Sequence, residues 1–100
     1  MPQLETMREI LSILSGLKPE LRARFNVTSI GVFGSFVRGE QRGGSDIDIL
    51  VDFSDEADLF DLVGLGILLE EKLGRRVDVV PRRALRAEIR ESVLKQVSSA

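Results

Sequence analysis

Val32-Phe33-Gly34-Ser35 and, ten residues on, Asp46-Ile47-Asp48-Ile49-Leu50-Val51 decide how this 100-residue chain is read. The two pieces spell a strand, a Gly-Ser corner opening a short helix, a glycine-rich loop, and a second strand with alternate carboxylates. Strand side chains alternate between faces, so Asp46 and Asp48 project from one side. Ile47, Ile49 and Val51 fall on the other side, which reads as core. Two like charges held side by side raise each other's energy unless a cation sits between them. Hard cations such as Mg²⁺ take carboxylate oxygens and arrive with substrate phosphates. The stretch points to a metal–phosphate site.

Gly34-Ser35 stands where a strand hands over to a helix, and free backbone N–H groups at such a helix start favour an anion. Gly34 lets a phosphate approach the backbone, and the Ser35 hydroxyl adds a hydrogen bond. Taken alone, the pair reads as an ordinary helix cap. Asp78 is the third piece, because it interrupts the apolar run Val77-Asp78-Val79-Val80. If that strand lies beside the Asp46–Asp48 strand, Asp78 completes a three-carboxylate cluster. Such a cluster suits a two-metal or metal-plus-base arrangement, in which an oxygen is activated and a phosphorus attacked in line. The structural alternative is an ion pair from Asp78 to Arg75 or Arg76. Arg38, one helical turn past Ser35, is placed to neutralise a leaving group or to pair with Glu40.

One hundred residues make one domain, 1–100, with room for a single core. Composition is that of a soluble globular protein, 43% hydrophobic and 30% charged, and no apolar run approaches the ~20 residues of a membrane span. The start Met1-Pro2-Gln3-Leu4-Glu5 lacks the pattern of a secretory signal. With no Cys, disulfide and thiol chemistry are excluded and the cytosol is the default compartment. With no His either, a metal must be held by oxygen, which favours Mg²⁺ or Mn²⁺ over Zn²⁺. The net charge of −2 hides an asymmetry: nine acidic residues and no Lys or Arg from Gly43 to Glu71, then seven basic against three acidic from Arg75 to Lys95. So acidic a centre does not suit electrostatic wrapping of nucleic acid.

Leu4, Met7, Leu11 and Leu14 predict an opening helix that Gly16 stops, and Pro19 begins a second helical segment to Phe25. Strands are expected over 28–33, 46–53 and 76–80, a helical turn over 35–39 and a loop over 39–45. Ser54-Asp55-Glu56 opens a helix whose stripe is Leu59, Leu62, Val63, Leu69 and Leu73, ended by Gly74. Gly64 and Gly66 inside it cost up to ~1 kcal/mol each, which implies close packing. The last helix, over 84–97, shows Leu85, Ile89 and Val93 on one face, with Arg82, Arg86 and Arg90 as a second stripe; 98–100 reads as a frayed end. Helices alternating with three strands predict an α/β (α+β) fold with one small sheet packed with helices.

The combination of Gly34-Ser35, Asp46-Ile47-Asp48 and a late Asp78 resembles the nucleotidyltransferase superfamily that includes DNA polymerase beta. Gly34-Ser35-Phe36-Val37-Arg38-Gly39-Glu40 and Ser45-Asp46-Ile47-Asp48-Ile49-Leu50-Val51-Asp52-Phe53 look like the minimal nucleotidyltransferase (MNT) proteins. Val77-Asp78-Val79-Val80-Pro81 and Ile89-Arg90-Glu91-Ser92-Val93-Leu94 continue the likeness, which covers nearly all of the chain beyond Val27. The resemblance implies that the small sheet is mixed, with three to four strands. It also implies that Gly34 and Ser35 hold ATP phosphates, with Arg38 beside them. It implies that Asp46 and Asp48 ligate Mg²⁺ or Mn²⁺, and that Asp78 is a third ligand or the base that activates the acceptor. Attack on the α-phosphorus would transfer AMP and release pyrophosphate.

MNT proteins are antitoxins encoded beside a HEPN-type ribonuclease toxin. The resemblance therefore implies a cytoplasmic, Mg-dependent protein adenylyltransferase that moves AMP from ATP to a tyrosine of the toxin. It implies a hetero-oligomer with the toxin, and no direct contact with nucleic acid or membrane. An added AMP brings bulk and negative charge where RNA phosphate must bind. The chain has no Tyr and so cannot be its own tyrosine acceptor. It has no Trp, Tyr or His to stack on adenine, so ATP over other nucleotides rests on the resemblance. Two rival readings remain: an antitoxin that masks its toxin without catalysis, using Arg82, Arg86 and Arg90, or a small-molecule nucleotidyltransferase completed by another domain or subunit.

Overall fold

The computed structural model describes residues 7–34 and 46–100. Helix α1 (Met7–Phe25) leads into strand β1 (Val27–Phe33), and β2 (Ile47–Phe53) and helix α2 (Leu59–Leu73) follow. Then come β3 (Val77–Pro81), a 3₁₀ turn (Arg82–Ala84), α3 (Ala87–Gln96) and the short β4 (Ser98–Ser99). The sheet has the order β3-β2-β1-β4. Strand β1 is antiparallel to β2 and β4, whereas β2 and β3 run parallel, with α2 as the crossover that parallel strands need. The mixed sheet and its helices bear out the expected fold class.

The alternation in β2 decides which way the sheet faces. Ile47, Ile49 and Val51 are fully buried, packed in one cluster with Ile10, Leu14 and Leu21 of α1 and Leu65 and Leu69 of α2. Both long helices therefore cover one face of the sheet. Among the described residues, no helix is long and apolar enough to cross a membrane.

Several expectations need correction. Helix α1 does not stop at Gly16 but runs unbroken through Gly16 and Pro19 to Phe25. Its buried positions Ile10, Leu14, Leu21 and Phe25 continue the stripe past the breakers. Burial of Leu21 and Phe25, roughly 1.5–3 kcal/mol each, offsets a Pro cost of about 3 kcal/mol. Helix α2 starts at Leu59, not at Ser54. Asp58 accepts from the Asp61 N–H at 3.1 Å and its own N–H donates to Asp61 Oδ2 at 3.1 Å, a reciprocal capping box that satisfies two otherwise unpaired donors.

The buried face of α2 is Leu65, Leu68, Leu69 and Leu73, whereas Leu59 and Val63 are exposed. A helix apolar nearly all round does not reveal its inner face by period alone. Gly64 is tight as expected, because a Cβ there would come within 2.7 Å of the Phe25 ring. The last helix is shorter than 84–97, with the 3₁₀ turn in front of it. The C-terminal end is not frayed. Ser98 and Ser99 pair with Val32 and Gly31, and the Ala100 N–H donates to the Ile30 carbonyl at 3.0 Å.

Candidate active site

The face of the sheet opposite α1 and α2 carries the chemistry. Asp48 lies between Ile47 and Ile49 on β2 and so points away from the core, half-buried. In the parallel ladder it stands in register with Asp78 of β3. Paired residues of neighbouring strands share a face and sit about 4.8 Å apart across the ladder, so two carboxylates stand side by side. On the other flank Asp48 pairs with Phe33, the last residue of β1, which puts Gly34 against it. Gly34 has φ +80°, and a Cβ there would run into the Asp48 carboxylate, 3.0 Å from its Cγ and 3.2 Å from its Cβ. Glycine is thus needed at 34 for both the backbone turn and the seat of Asp48.

Gly34, Asp48 and Asp78 open together into a cleft of about 1260 Å³. Its far wall is α3 and the residues before it, with Leu85 and Ile89 beside Arg86, Glu88, Ser92 and Gln96. The sequence shows Leu85, Ile89 and Val93 as a periodic stripe. That Glu88, Ser92 and Gln96 repeat every four residues beside that stripe is the signal that a polar line shares the cleft.

The three-carboxylate cluster is only partly assembled. Asp46 is exposed at the entrance to β2 and is not among the residues lining the cleft. Among the described residues, no group of three or more acidic side chains is gathered closely enough to hold a metal ion. The ladder explains the difference. Its first paired residue is Ile47, whose N–H donates to the Arg76 carbonyl at 3.0 Å, so pairing orients Asp48 but not Asp46. Ser35 and Arg38 lie outside the described residues, as do the expected turn over 35–39 and loop over 39–45.

The alternative partners of Asp78 are absent: among the described residues no ion pair joins it to Arg75 or Arg76. The donor set left in the cleft, two neighbouring carboxylates in a chain without Cys or His, fits a hard cation such as Mg²⁺. Nor do the three arginines form one stripe. Arg82 pairs with Asp52 at 3.1 Å, Arg90 donates to the Leu85 carbonyl at 3.2 Å, and Arg86 lines the cleft. Asp52 also accepts from the Ser29 hydroxyl at 3.2 Å, so this second carboxylate of β2 anchors the 3₁₀ turn to the sheet. At half exposure the Arg82–Asp52 pair contributes under about 1 kcal/mol.

Known proteins with this arrangement agree in kind. Residues 14–98 match the nucleotidyltransferase domain family. A protein adenylyltransferase MntA of Thermococcus cleftensis is 50% identical over 92 residues, which are 92% of this chain and 93% of that protein. A solved structure described as a minimal nucleotidyltransferase superposes with a TM-score of 0.77 at 41% identity, covering 97% of this chain and 95% of the other. A crystal structure of a toxin-antitoxin with AMP-PNP superposes with a TM-score of 0.67 at 28% identity, covering 84% of this chain and 69% of the other.

Proposed function

The chain belongs to the nucleotidyltransferase domain family, and from that premise we propose that it is an antitoxin that adenylylates its toxin. The reaction moves AMP from ATP to a tyrosine of a HEPN-type ribonuclease. The observation that carries this reading is the register of Asp48 with Asp78 on adjacent parallel strands, both opening with Gly34 into one cleft. Support comes from the protein adenylyltransferase half identical to this chain and from the toxin-antitoxin neighbour that carries AMP-PNP. The cleft, about 1260 Å³ and open to solvent, has room for a nucleotide.

Each residue then has a role. Gly34 and Ser35 bind the triphosphate, and Arg38 bears on the departing pyrophosphate. Asp48 and Asp78 would hold Mg²⁺ or Mn²⁺, with Asp46 as the third carboxylate that would join them. When bound there, the cation offsets the charge of the carboxylates and the triphosphate and polarises the phosphoryl oxygens. Asp78 takes the proton of the acceptor hydroxyl as its oxygen bonds to the α-phosphorus. The bond from that phosphorus to the bridging oxygen breaks, and pyrophosphate leaves with the electron pair. The acceptor comes from the partner because this chain has no Tyr. The 100 residues act as one catalytic unit, in the cytoplasm.

The test is transfer of label. The protein is incubated with α-labelled ATP, Mg²⁺ and an inactive variant of the toxin encoded by the neighbouring gene. Label on a toxin tyrosine is the expected result, and its loss in Asp48→Asn and Asp78→Asn assigns the chemistry. Absence of label with the wild-type chain overturns the reading. Full protection of cells by Asp46→Asn/Asp48→Asn would show instead that masking suffices.

A further inference from the structure

Helix α2 presents two opposed faces. Leu65, Leu68, Leu69 and Leu73 are buried against the sheet and α1. On the reverse side Leu59, Phe60, Val63 and Ile67 stand 69%, 85%, 54% and 63% exposed. Steps of 100° per residue bring these four into one stripe centred opposite the buried face, so among the described residues no element packed on α2 covers it. A contiguous apolar patch of this kind marks an interaction surface, unlike scattered apolar residues.

Charge indicates what covers it. The stripe is flanked by Asp55 and Glu56 at its start and Glu70 and Glu71 at its end, with no Lys or Arg from Gly43 to Glu71, whereas Lys72 in the last turn falls at the angle of the buried Leu65 and not beside the stripe. A second copy laid antiparallel on this face would set the acidic entrance of one helix against the acidic end of the other. Like charges so juxtaposed disfavour association. The complement is an apolar socket rimmed by Lys and Arg.

We propose that the outer face of α2 docks the toxin through such a basic-rimmed socket, an inference that rests on the function proposed above. Asp48 and Asp78 open on the other side of the sheet from α2. Holding and modifying the toxin therefore use separate surfaces. The toxin segment seated on α2 and the hydroxyl entering the cleft come from different parts of the toxin assembly.

The test uses the full chain, an inactive variant of the neighbouring-gene toxin, and two double variants at exposed positions. Phe60→Ser/Ile67→Ser is expected to raise the Kd for toxin at least about 30-fold, the loss typical of anchor residues. Its melting temperature and its label transfer at saturating toxin stay near wild type. Glu56→Lys/Glu71→Lys is expected to slow association roughly tenfold at low salt and to flatten its salt dependence. If Phe60→Ser/Ile67→Ser binds toxin as tightly as wild type while wild type still labels it, the docking face is wrong and the chemistry stands. If wild type neither binds nor labels toxin, the function itself fails, and the docking inference with it. If light scattering shows a wild-type dimer that the apolar variant dissolves, the face belongs to a second copy and the proposal is overturned.

Discussion

Gly34→Ala tests the junction on which the site is built. Two costs follow from its geometry. At φ +80° an L side chain occupies left-handed backbone, which costs roughly 1–2 kcal/mol. The new Cβ also runs into the Asp48 carboxylate, and turning that side chain off its rotamer adds about 0.5–1.5 kcal/mol. Rotation does not clear the contact entirely, because the Asp48 Cβ itself lies 3.2 Å away. A total of about 2–3 kcal/mol corresponds to a fall in Tm on the order of 10 °C for a domain of this size. Turnover falls further, about 100-fold, because moving a reacting group by an ångström is enough for that. Urea unfolding with label transfer measures both. An Asp48→Ala background separates the two costs: there Gly34→Ala keeps the backbone part and the contact with the remaining Cβ at 48 but meets no carboxylate, leaving a coupling of about 1 kcal/mol. Equal costs in both backgrounds, or a Gly34→Ala variant of full activity, would refute the reasoning.

Other outcomes follow from the same structure. Asp48→Asn or Asp78→Asn should lower turnover roughly 10²–10³-fold. Without divalent cation, Asp78→Asn should leave unfolding stability equal or higher by about 0.2–1 kcal/mol, because like charges stand directly opposite in the ladder. Mg²⁺ at a hundred times its Kd should stabilise the wild type by about 2.7 kcal/mol in thermal melts, and the Asp48→Asn/Asp78→Asn double variant hardly at all. Gly31→Val should cost about 1–3 kcal/mol and deprotect the Ala100 amide in hydrogen exchange, because a Cβ at 31 lies 2.7 Å from the Val97 side chain and 2.8 Å from the Ser98 carbonyl. Asp58→Ala removes half of the capping box of α2 and should cost about 1 kcal/mol in urea unfolding.

What could be read from the residues was what depends on local period. Strand β2 announces both of its faces, because alternation over Ile47–Phe53 is a property of the strand alone. Asp78 stands out for the same reason, as a charge in an apolar run. What escaped depends on contacts far along the chain. Gly16 and Pro19 signal a stop, yet α1 continues because Leu21 and Phe25 find partners in the core. Ser98 and Ser99 carry no strand pattern, and they pair only because Gly31, more than sixty positions earlier, leaves room. Leu59 and Val63 look like core because α2 is apolar on most sides, and only the sheet decides which leucines go inward. Gly34 was legible as a phosphate seat, but its contact with Asp48 needed the β1–β2 register.

That register links stability to chemistry. Because side chains repeat every two residues, a slip of one position along β2 would turn Asp48 into the core and expose Ile47 and Ile49. Burying an unpaired carboxylate among Ile10, Leu14 and Leu69 is far more costly than any rearrangement of the exposed face. The apolar face therefore holds the acidic one in place, with β1 on one side and β3 on the other. Asp46, outside the ladder, has no such restraint, so of the two β2-side carboxylates it is the one left to move with its ligand. Core substitutions such as Ile49→Ala, remote from any phosphate, should for this reason disturb activity through the position of Asp48 as well as through stability.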